Sequence, residues 1–164
     1  MTSREHVTAI WTGSVMSIYL VPEASASMRS HDSVRAVAGR GLLGDRYFNN
    51  IGFYSGTPGP LRQISLIEEE TLDALVRDHG MVVEPGETRR NIVTRGVPLN
   101  HLVGREFRVG SATIRGVKLC EPCAHLVALT GKHGYLPNLI HRGGLHAEII
   151  GDGEIRSGDE VVPL

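Results

Sequence analysis

Short β-prone segments separated by glycine and proline constrain the fold of this chain more than any other sequence feature. Twenty glycines and eight prolines are spread along the 164 residues and are not concentrated in a linker. They separate runs that are rich in β-branched residues, and such runs predict strands. The runs are HVTAIW, RQISLI, RNIVT, REFRVG, ATIRGVKL and HAEIIG. Because helices do not alternate regularly with them, we expect a mainly β protein, an antiparallel or mixed barrel with a few short helices.

The clearest helical signal covers residues 67–79, where apolar residues recur on one face. Three glutamates at its start and Gly80 after its end suit the two helix termini. Ser65 and Glu68 have the spacing of a capping box. Two weaker signals predict a helix after Pro122 that runs to Leu129 and a short helical turn over 135–141.

Two tight turns near the end of the chain predict consecutive β-hairpins. They are Gly151-Asp152-Gly153 and Ser157-Gly158-Asp159, each with alternating residues around it. Turn geometry is also the simplest explanation for the aspartate at position 159.

The segment Gly39–Gly44 spells the dinucleotide-binding fingerprint GRGLLG. The residues that follow do not form the amphipathic helix whose N-terminus holds a pyrophosphate in that motif. We therefore interpret the segment as a glycine-rich loop in which Asp45 and Arg46 make turn hydrogen bonds or line a cleft.

Length and charge restrict the class of protein. The chain has the length of one domain, 1–164, and its formal net charge of −1 gives no global positive field. We therefore expect neither nucleic acid nor a membrane surface as the main partner. The first twenty residues are interrupted by Thr12, Gly13 and Ser14, and no later segment resembles a membrane span. These features predict a soluble, cytoplasmic protein.

Both cysteines of the chain, Cys120 and Cys123, lie in VKLCEPCAHL. A zinc site lacks a second cysteine pair, and a thioredoxin-like dithiol lacks a helix that begins at the first cysteine. At the first turn of a short helix, Cys123 would form a thiolate readily, whereas Cys120 is expected to be a small buried side chain. A thiolate suits either a transition metal or sulfur transfer, and both remain open.

Two segments offer groups that bind anions. Arg89, Arg90 and Asn91 are predicted to open a strand, with Arg89 and Asn91 on one face and Arg90 on the other. Arg142 precedes Gly143 and Gly144, where the backbone can approach a ligand closely. Together these residues predict a phosphate site, and the alternative is that each arginine is a solvated surface residue.

In these motifs the chain resembles the MOSC domain family, named for the C-terminal domain of molybdenum cofactor sulfurases. The motifs stand in the family's order and cover nearly the whole chain. They are GLLGDR at 41–46, RQISLI at 62–67, ETRRNIV at 87–93, GREFRVG at 104–110, CEPCAHL at 120–126 and RGGLHA at 142–147. The resemblance implies a single, stand-alone MOSC domain over 1–164, with a strongly curved β-barrel similar to that of pyruvate kinase.

The resemblance also implies binding of the molybdenum cofactor, molybdopterin, a pterin dithiolene that carries a phosphate. Cys123 matches the family's characteristic cysteine and is the implied metal ligand. His125 is a candidate for positioning the substrate or protonating a leaving hydroxyl, although such a histidine often only packs or caps. The implied holders of the pterin and its phosphate are Arg89, Asn91, Arg142, Gly143 and Gly144.

The leading functional hypothesis is a molybdenum-dependent oxidoreductase that reduces small N-hydroxylated compounds. A separate redox protein would deliver the electrons, because two cysteines cannot supply four ligands to an iron–sulfur cluster. One alternative is a sulfur carrier in which Cys123 holds a persulfide received from a desulfurase, with Cys120 as a relay. Another is a binding module that holds the cofactor without turnover.

Overall fold

The computed structural model describes residues 10–23, 25–48, 62–122 and 135–164. The predictions for Cys123, His125 and the helix after Pro122 lie outside these residues. The strands are β1 (Gly13–Leu20), β2 (Arg29–His31), β3 (Ser33–Val37), β4 (Gly41–Leu42), β5 (Ile64–Glu68), β6 (Ile92–Arg95), β7 (Glu106–Val109), β8 (Ala112–Leu119), β9 (Leu145–Gly151), β10 (Gly153–Arg156) and β11 (Glu160–Pro163). The helices are α1 (Glu69–His79) and α2 (Tyr135–Asn138), with 3₁₀ turns at Pro85–Thr88 and Leu99–His101.

Seven strands of the described chain close into a barrel, in the order β1-β11-β7-β8-β9-β5-β6 and back to β1. Neighbouring strands are antiparallel except β5 and β6, which run parallel and are connected through α1. β2 extends the barrel sheet along β1, while β10, β3 and β4 form a separate small sheet. The prediction of a mainly β barrel with a few short helices is confirmed.

Side chains alternate along each strand between the barrel core and the outer wall of the barrel. On β9, Leu145, Ala147 and Ile149 are buried in the core, whereas His146 and Glu148 between them are only partly buried. The side chain of His146 therefore lies on the outer wall.

Helix α1 covers part of the outer wall through a second apolar cluster, in which Leu72 and Leu75 pack with Ile67 of β5 and Val93 of β6. Gly80 ends the helix as predicted: its φ is 61°, and its N–H donates to carbonyl oxygens of the last turn. A left-handed conformation of this kind suits glycine.

The helix begins at Glu69, two residues after the predicted start. The predicted capping box of Ser65 and Glu68 is also wrong. The N-cap is Glu68, and no side chain caps the helix there. Ser65 lies within β5, where its hydroxyl donates to Asn91 Oδ1 at 3.1 Å. A capping box does occur at Glu84 and Glu87, on the 3₁₀ turn that precedes β6.

The two glycine-containing turns are present, but the predicted hairpins are wrong. β9 pairs with β5 and β8, β10 pairs with β3, and β11 pairs with β1 and β7. The turns therefore carry the chain from the barrel to the small sheet and back. In the second turn, Asp159 Oδ2 accepts the N–H of Arg156 at 2.8 Å, as turn geometry predicts.

Most of the predicted strands are confirmed, and ATIRGVKL coincides with β8. HVTAIW is the exception among its described residues, because Ile10 and Trp11 precede the first strand, which begins at Gly13. After the glycine-rich loop, residues 45–48 form turns and not a helix, as expected.

Candidate functional site

The segment that leads to Cys123 is fixed by backbone hydrogen bonds. Cys120 follows β8 and is 3% exposed, which confirms the prediction of a buried thiol. Its N–H donates to the carbonyl of Gly144 at 2.7 Å. The next residue, Glu121, accepts the backbone N–H of His141 on both carboxylate oxygens, at 3.1 and 3.3 Å. The approach to Cys123 is thus held against the turn at 141–144.

Gly143 and Gly144 permit this close packing of backbone. A Cβ atom at Gly143 would collide with the carbonyl oxygen of Cys120, and one at Gly144 would collide with that of Leu66. Gly144 also has a φ of 108°, which L side chains rarely adopt. The described structure therefore explains both glycines by contacts within the protein. Their predicted role in cofactor binding stays a prediction.

Arg90 connects this turn to the end of β8. Its side chain is buried, at 8% exposed, and donates to the carbonyl oxygens of Gly143 at 2.8 Å, Thr88 at 3.2 Å and Cys120 at 3.3 Å. Within the described part of the chain, its hydrogen-bond acceptors are all neutral carbonyls. A buried guanidinium without a carboxylate partner is costly, because its charge is removed from water without compensation.

The predicted strand over Arg89, Arg90 and Asn91 is wrong, but Arg89 and Asn91 both lie near Asp45 and Arg90 does not, as predicted. β6 begins only at Ile92, and Arg89 has a φ of 64° as the residue that ends the preceding 3₁₀ turn. The left-handed turn sends Arg89 and Arg90 to different parts of the molecule.

Arg89 and Asn91 both bond to protein groups. The guanidinium of Arg89 donates to the carbonyl of Ala26, and burial, followed by the nearby charge of Arg46, lowers the pKa of Arg89 to about 10. The amide of Asn91 accepts from the N–H and the hydroxyl of Ser65, both at 3.1 Å, and donates to the carbonyl of Tyr19 at 3.2 Å. Their role as cofactor holders stays a prediction.

A balanced ion pair lies beside Arg89 and Asn91. Asp45 and Arg46 are 1% and 6% exposed, and Oδ1 of the aspartate lies 3.4 Å from Nη1 of the arginine. Asp45 also accepts the N–H groups of Val21 at 3.3 Å and Tyr47 at 3.4 Å, which confirms the expected turn hydrogen bonds. Burial raises the pKa of Asp45, while Arg46 acts in the opposite direction.

Arg142 is directed toward helix α1. Its Nε donates to the carbonyl of Asn138 at 2.6 Å, and its Nη1 lies 3.4 Å from a carboxylate oxygen of Asp78. The hydrogen bond from Arg77 is the main cause that lowers the pKa of Asp78 to about 2, and Arg142 contributes. The predicted role of Arg142 as a phosphate holder stays a prediction.

A row of polar residues that crosses three strands was missed as a site by sequence reasoning. His146 of β9 is paired with Ser65 of β5 on one side and with Lys118 of β8 on the other. Directly paired residues project from the same face of a sheet, so the three side chains are neighbours on the outer wall. Alternation in LHAEI indicated which way His146 faces, but only the strand register reveals its neighbours.

The electrostatic surroundings of His146 are positive. Burial is the main cause that lowers the pKa of His146 to about 4, and the charges of Arg90, Arg62 and Lys118 lower it further. The imidazole is therefore neutral at pH 7 and surrounded by cations.

A family model described as the MOSC domain matches residues 54–162, about two thirds of the chain. This chain belongs to the MOSC domain family. The family is associated with binding of the molybdenum cofactor. A comparison with curated protein sequences gives no match.

Solved structures share the fold of this MOSC protein over nearly its full length. The YuaD protein from Bacillus subtilis is 18% identical with a TM-score of 0.75, and the match covers 94% of this chain and 99% of that one. YiiM from Geobacillus stearothermophilus is 13% identical with a TM-score of 0.72, covering 93% and 75%. YiiM from Escherichia coli is 18% identical with a TM-score of 0.65, covering 95% and 70%. At these identities the likeness shows the fold alone.

Residues 10–23, 25–48, 62–122 and 135–164 offer neither a cluster of metal-binding side chains nor a helix that could span a membrane. They contain no group of three or more His, Cys, Asp or Glu side chains that could hold a metal ion. No helix among them has the length and apolar character needed to span a membrane.

Proposed function

We propose that this protein binds the molybdenum cofactor beside the Cys120–Gly143 contact and uses it to reduce small N-hydroxylated compounds. The observation that supports this best is the buried guanidinium of Arg90. It bonds to neutral carbonyls of the described chain, one of which belongs to the segment that leads to Cys123. A positive charge at this position favours an anionic ligand beside the segment that leads to Cys123.

The available groups fit the two ends of the cofactor. Guanidinium, ammonium and imidazole groups are suitable donors to a phosphate, and a cysteine thiolate is a soft ligand suitable for a transition metal. Cys123 would supply that ligand, and Arg89, Asn91 and Arg142 remain candidates for contacts with the pterin. When bound, the cofactor supplies a centre that exchanges two electrons.

The overall reaction that we propose breaks an N–O bond. An N-hydroxylated compound R–NH–OH takes two electrons and two protons and gives R–NH₂ and water. A separate redox protein supplies the electrons. His125 is a candidate donor of a proton to the leaving hydroxyl, a role for which imidazole is suited near neutral pH.

Metal content tests the binding half of this proposal. The full chain is expressed in a host that makes the cofactor, and molybdenum per chain is measured by mass spectrometry. We expect close to stoichiometric metal in the wild type and in the matched control Cys120→Ala, and a loss of most metal in Cys123→Ser. Molybdenum that survives Cys123→Ser at the wild-type level would contradict the assignment of the ligand.

Turnover tests the catalytic half. Loaded protein is incubated with an aromatic amidoxime and a reduced viologen dye, and amidine formation is followed by chromatography. We expect product with loaded wild type and none with metal-free protein. Loaded protein that gives no product with any electron donor would identify a binding module.

The sulfur-carrier alternative makes a different prediction. Metal-free protein would gain the mass of one sulfur atom, removable by a reductant. The burial of Cys120 gives no support to a relay between the two thiols, because a relay needs both to be accessible.

A further inference from the structure

We propose that Lys118, His146 and Arg62, together with the fixed guanidinium of Arg90, form an oxyanion site for a phosphate-type dianion on the outer wall of the barrel. The inference deepens the proposed function, because it assigns the terminal phosphate of the cofactor to these residues. The identity of the ligand as the cofactor rests on the proposed function, whereas the binding of an anion at these residues does not.

Strand pairing carries the first part of this inference. His146 lies directly between Ser65 and Lys118 on three adjacent strands. Paired residues have Cβ atoms about 5 Å apart, so a tetrahedral anion can contact two of these side chains together. Lys118 is exposed, and the ring of His146 has no hydrogen-bond partner among the described residues. Both side chains therefore have donors available to a ligand.

Charge balance carries the second part. Arg90 is buried, and in the described structure its acceptors are carbonyl oxygens. It is fixed close enough to His146 to lower that residue's pKa, as are Arg62 and Lys118. Arg90 and Lys118, near one neutral imidazole, supply a positive charge that a dianion neutralises.

The candidates singled out from the sequence are arranged differently. Arg142 lies beside Asp78, whose carboxylate offsets its charge. Arg89 donates to Ala26, and the amide of Asn91 is bonded to Ser65 and Tyr19. A phosphate that binds to Arg142, Arg89 or Asn91 would have to displace these contacts. A phosphate that binds near His146 would form new contacts without breaking existing ones.

Anion binding should draw a proton onto His146. The charged groups on the elements packed around it are Arg62 before β5, Arg90 before β6, Lys118 on β8, and Glu148 on β9 itself. The carboxylate of Glu148 is bonded to an arginine of β8 at 2.7 Å. A dianion among the three cations reverses the local field, so the protonated imidazole becomes a further donor.

Nuclear magnetic resonance of the histidine rings tests this site in the metal-free full chain. The probe is inorganic sulfate, a tetrahedral dianion whose charge is constant between pH 4 and 8. Without sulfate we expect the His146 ring to titrate with a midpoint of about 4. With saturating sulfate we expect the midpoint to rise by one unit or more, which corresponds to about tenfold tighter sulfate binding by the protonated form. Sodium chloride at equal ionic strength should raise it much less, through screening alone, and His146→Gln assigns the signal.

Two variants separate the site from a general effect of surface charge. Lys118→Met should weaken sulfate binding about tenfold, since it removes a full charge from the site. Arg108→Gln removes an exposed charge from β7, where Arg108 pairs with Thr113, at the other end of β8 from Lys118. This variant should change the affinity less than about twofold. Equal effects of the two variants, or a His146 midpoint that sulfate does not move, would overturn the proposal.

Molybdenum content then identifies the source of the phosphate. If the site holds the cofactor's phosphate, Lys118→Met and His146→Gln should lose most of the molybdenum that the wild type carries, while Arg108→Gln retains it. If sulfate binds the wild type as predicted and both variants keep their molybdenum, the assignment to the cofactor is overturned and another phosphorylated ligand is indicated. A wild type without molybdenum would contradict the proposed function, and the sulfate titration would still decide whether the oxyanion site exists.

Discussion

Two buried arginines of this MOSC protein differ in how their charge is compensated. Arg46 and Arg90 are 6% and 8% exposed. Arg46 lies 3.4 Å from the carboxylate of Asp45, whereas Arg90 bonds to carbonyl oxygens of the described chain. In the first region the two charges balance each other without a ligand. The second retains a positive charge that an anionic ligand would neutralise, so we interpret it as part of a binding site.

The largest expected effect concerns a glycine in each region. Gly144→Ala places a Cβ against the carbonyl of Leu66 beside the Arg90 region, and Gly44→Ala places one in open space before Asp45. Both glycines have positive φ, 108° and 94°. We expect the free energy of unfolding to fall by about 4 kcal/mol in Gly144→Ala, because backbone strain and the collision add. In the control Gly44→Ala it should fall by about 1 kcal/mol, from strain alone. Urea unfolding measures both, and equal losses would contradict the packing described here.

Asp45→Asn breaks the balanced pair. It leaves the guanidinium of Arg46 buried without a carboxylate, and we expect the free energy of unfolding to fall by about 3 kcal/mol. Asp152→Asn is a suitable control, because Asp152 is exposed and accepts a single N–H, from Ala38 at 2.7 Å. A loss no larger than that of the control would show that the Asp45–Arg46 pair does not stabilise the fold.

Arg90→Met tests the unbalanced region. The variant loses three hydrogen bonds, but it also removes a buried charge. We therefore expect the free energy of unfolding to fall by about 2 kcal/mol, less than for Asp45→Asn. Sulfate should raise the unfolding temperature of the wild type more than that of the variant, which keeps only the general stabilisation by sulfate. The same sulfate-induced rise in both proteins would show that Arg90 has no role in anion binding.

The pH dependence of stability tests His146. Its pKa is lowered from 6.5 to about 4 in the folded state, so between these values the unfolded state binds more protons. Stability should therefore decrease as pH falls from 6.5 to 4, on the order of 2 kcal/mol from this residue. Glu68 acts in the opposite direction, because burial raises its pKa to about 7. The difference in the free energy of unfolding between wild type and His146→Gln, measured from pH 4 to 6.5, isolates the contribution of the histidine. A difference that does not change with pH would contradict the lowered pKa of His146.

The smallest effect is expected for the surface pair that holds Arg142. Asp78→Asn should change the thermal midpoint by about 1 °C or less, because both side chains are partly exposed to solvent. Sulfate affinity should stay the same if the anion binds near His146. Tighter sulfate binding in this variant would indicate that releasing Arg142 makes it an anion holder.

Local sequence patterns predicted most of the barrel strands and the end of helix α1. ATIRGVKL alternates along its length, and Gly80 supplies the left-handed cap. The hairpins at 151–153 and 157–159 were not predictable in this way, because the same turn residues also serve where a chain passes between two sheets. Ser65 likewise has capping spacing, but its place in β5 directs its hydroxyl to Asn91.

Less of the candidate site was predictable, because its contacts join residues that are distant in sequence. Arg90 binds carbonyls 30 and 53 positions away, so nothing local distinguishes it from Arg89. The neighbours of His146 follow from the register of β5, β8 and β9. The sequence did identify Cys120 as a small buried side chain at the end of a strand.

A crystal structure of the molybdenum-loaded protein, with anomalous scattering recorded at the molybdenum edge, tests the central claim most directly. We predict the metal at the sulfur of Cys123 and the terminal phosphate within hydrogen-bonding distance of Lys118 and His146. A phosphate bound at Arg89 and Asn91 or at Arg142, with the row on β5, β8 and β9 empty, would contradict this account.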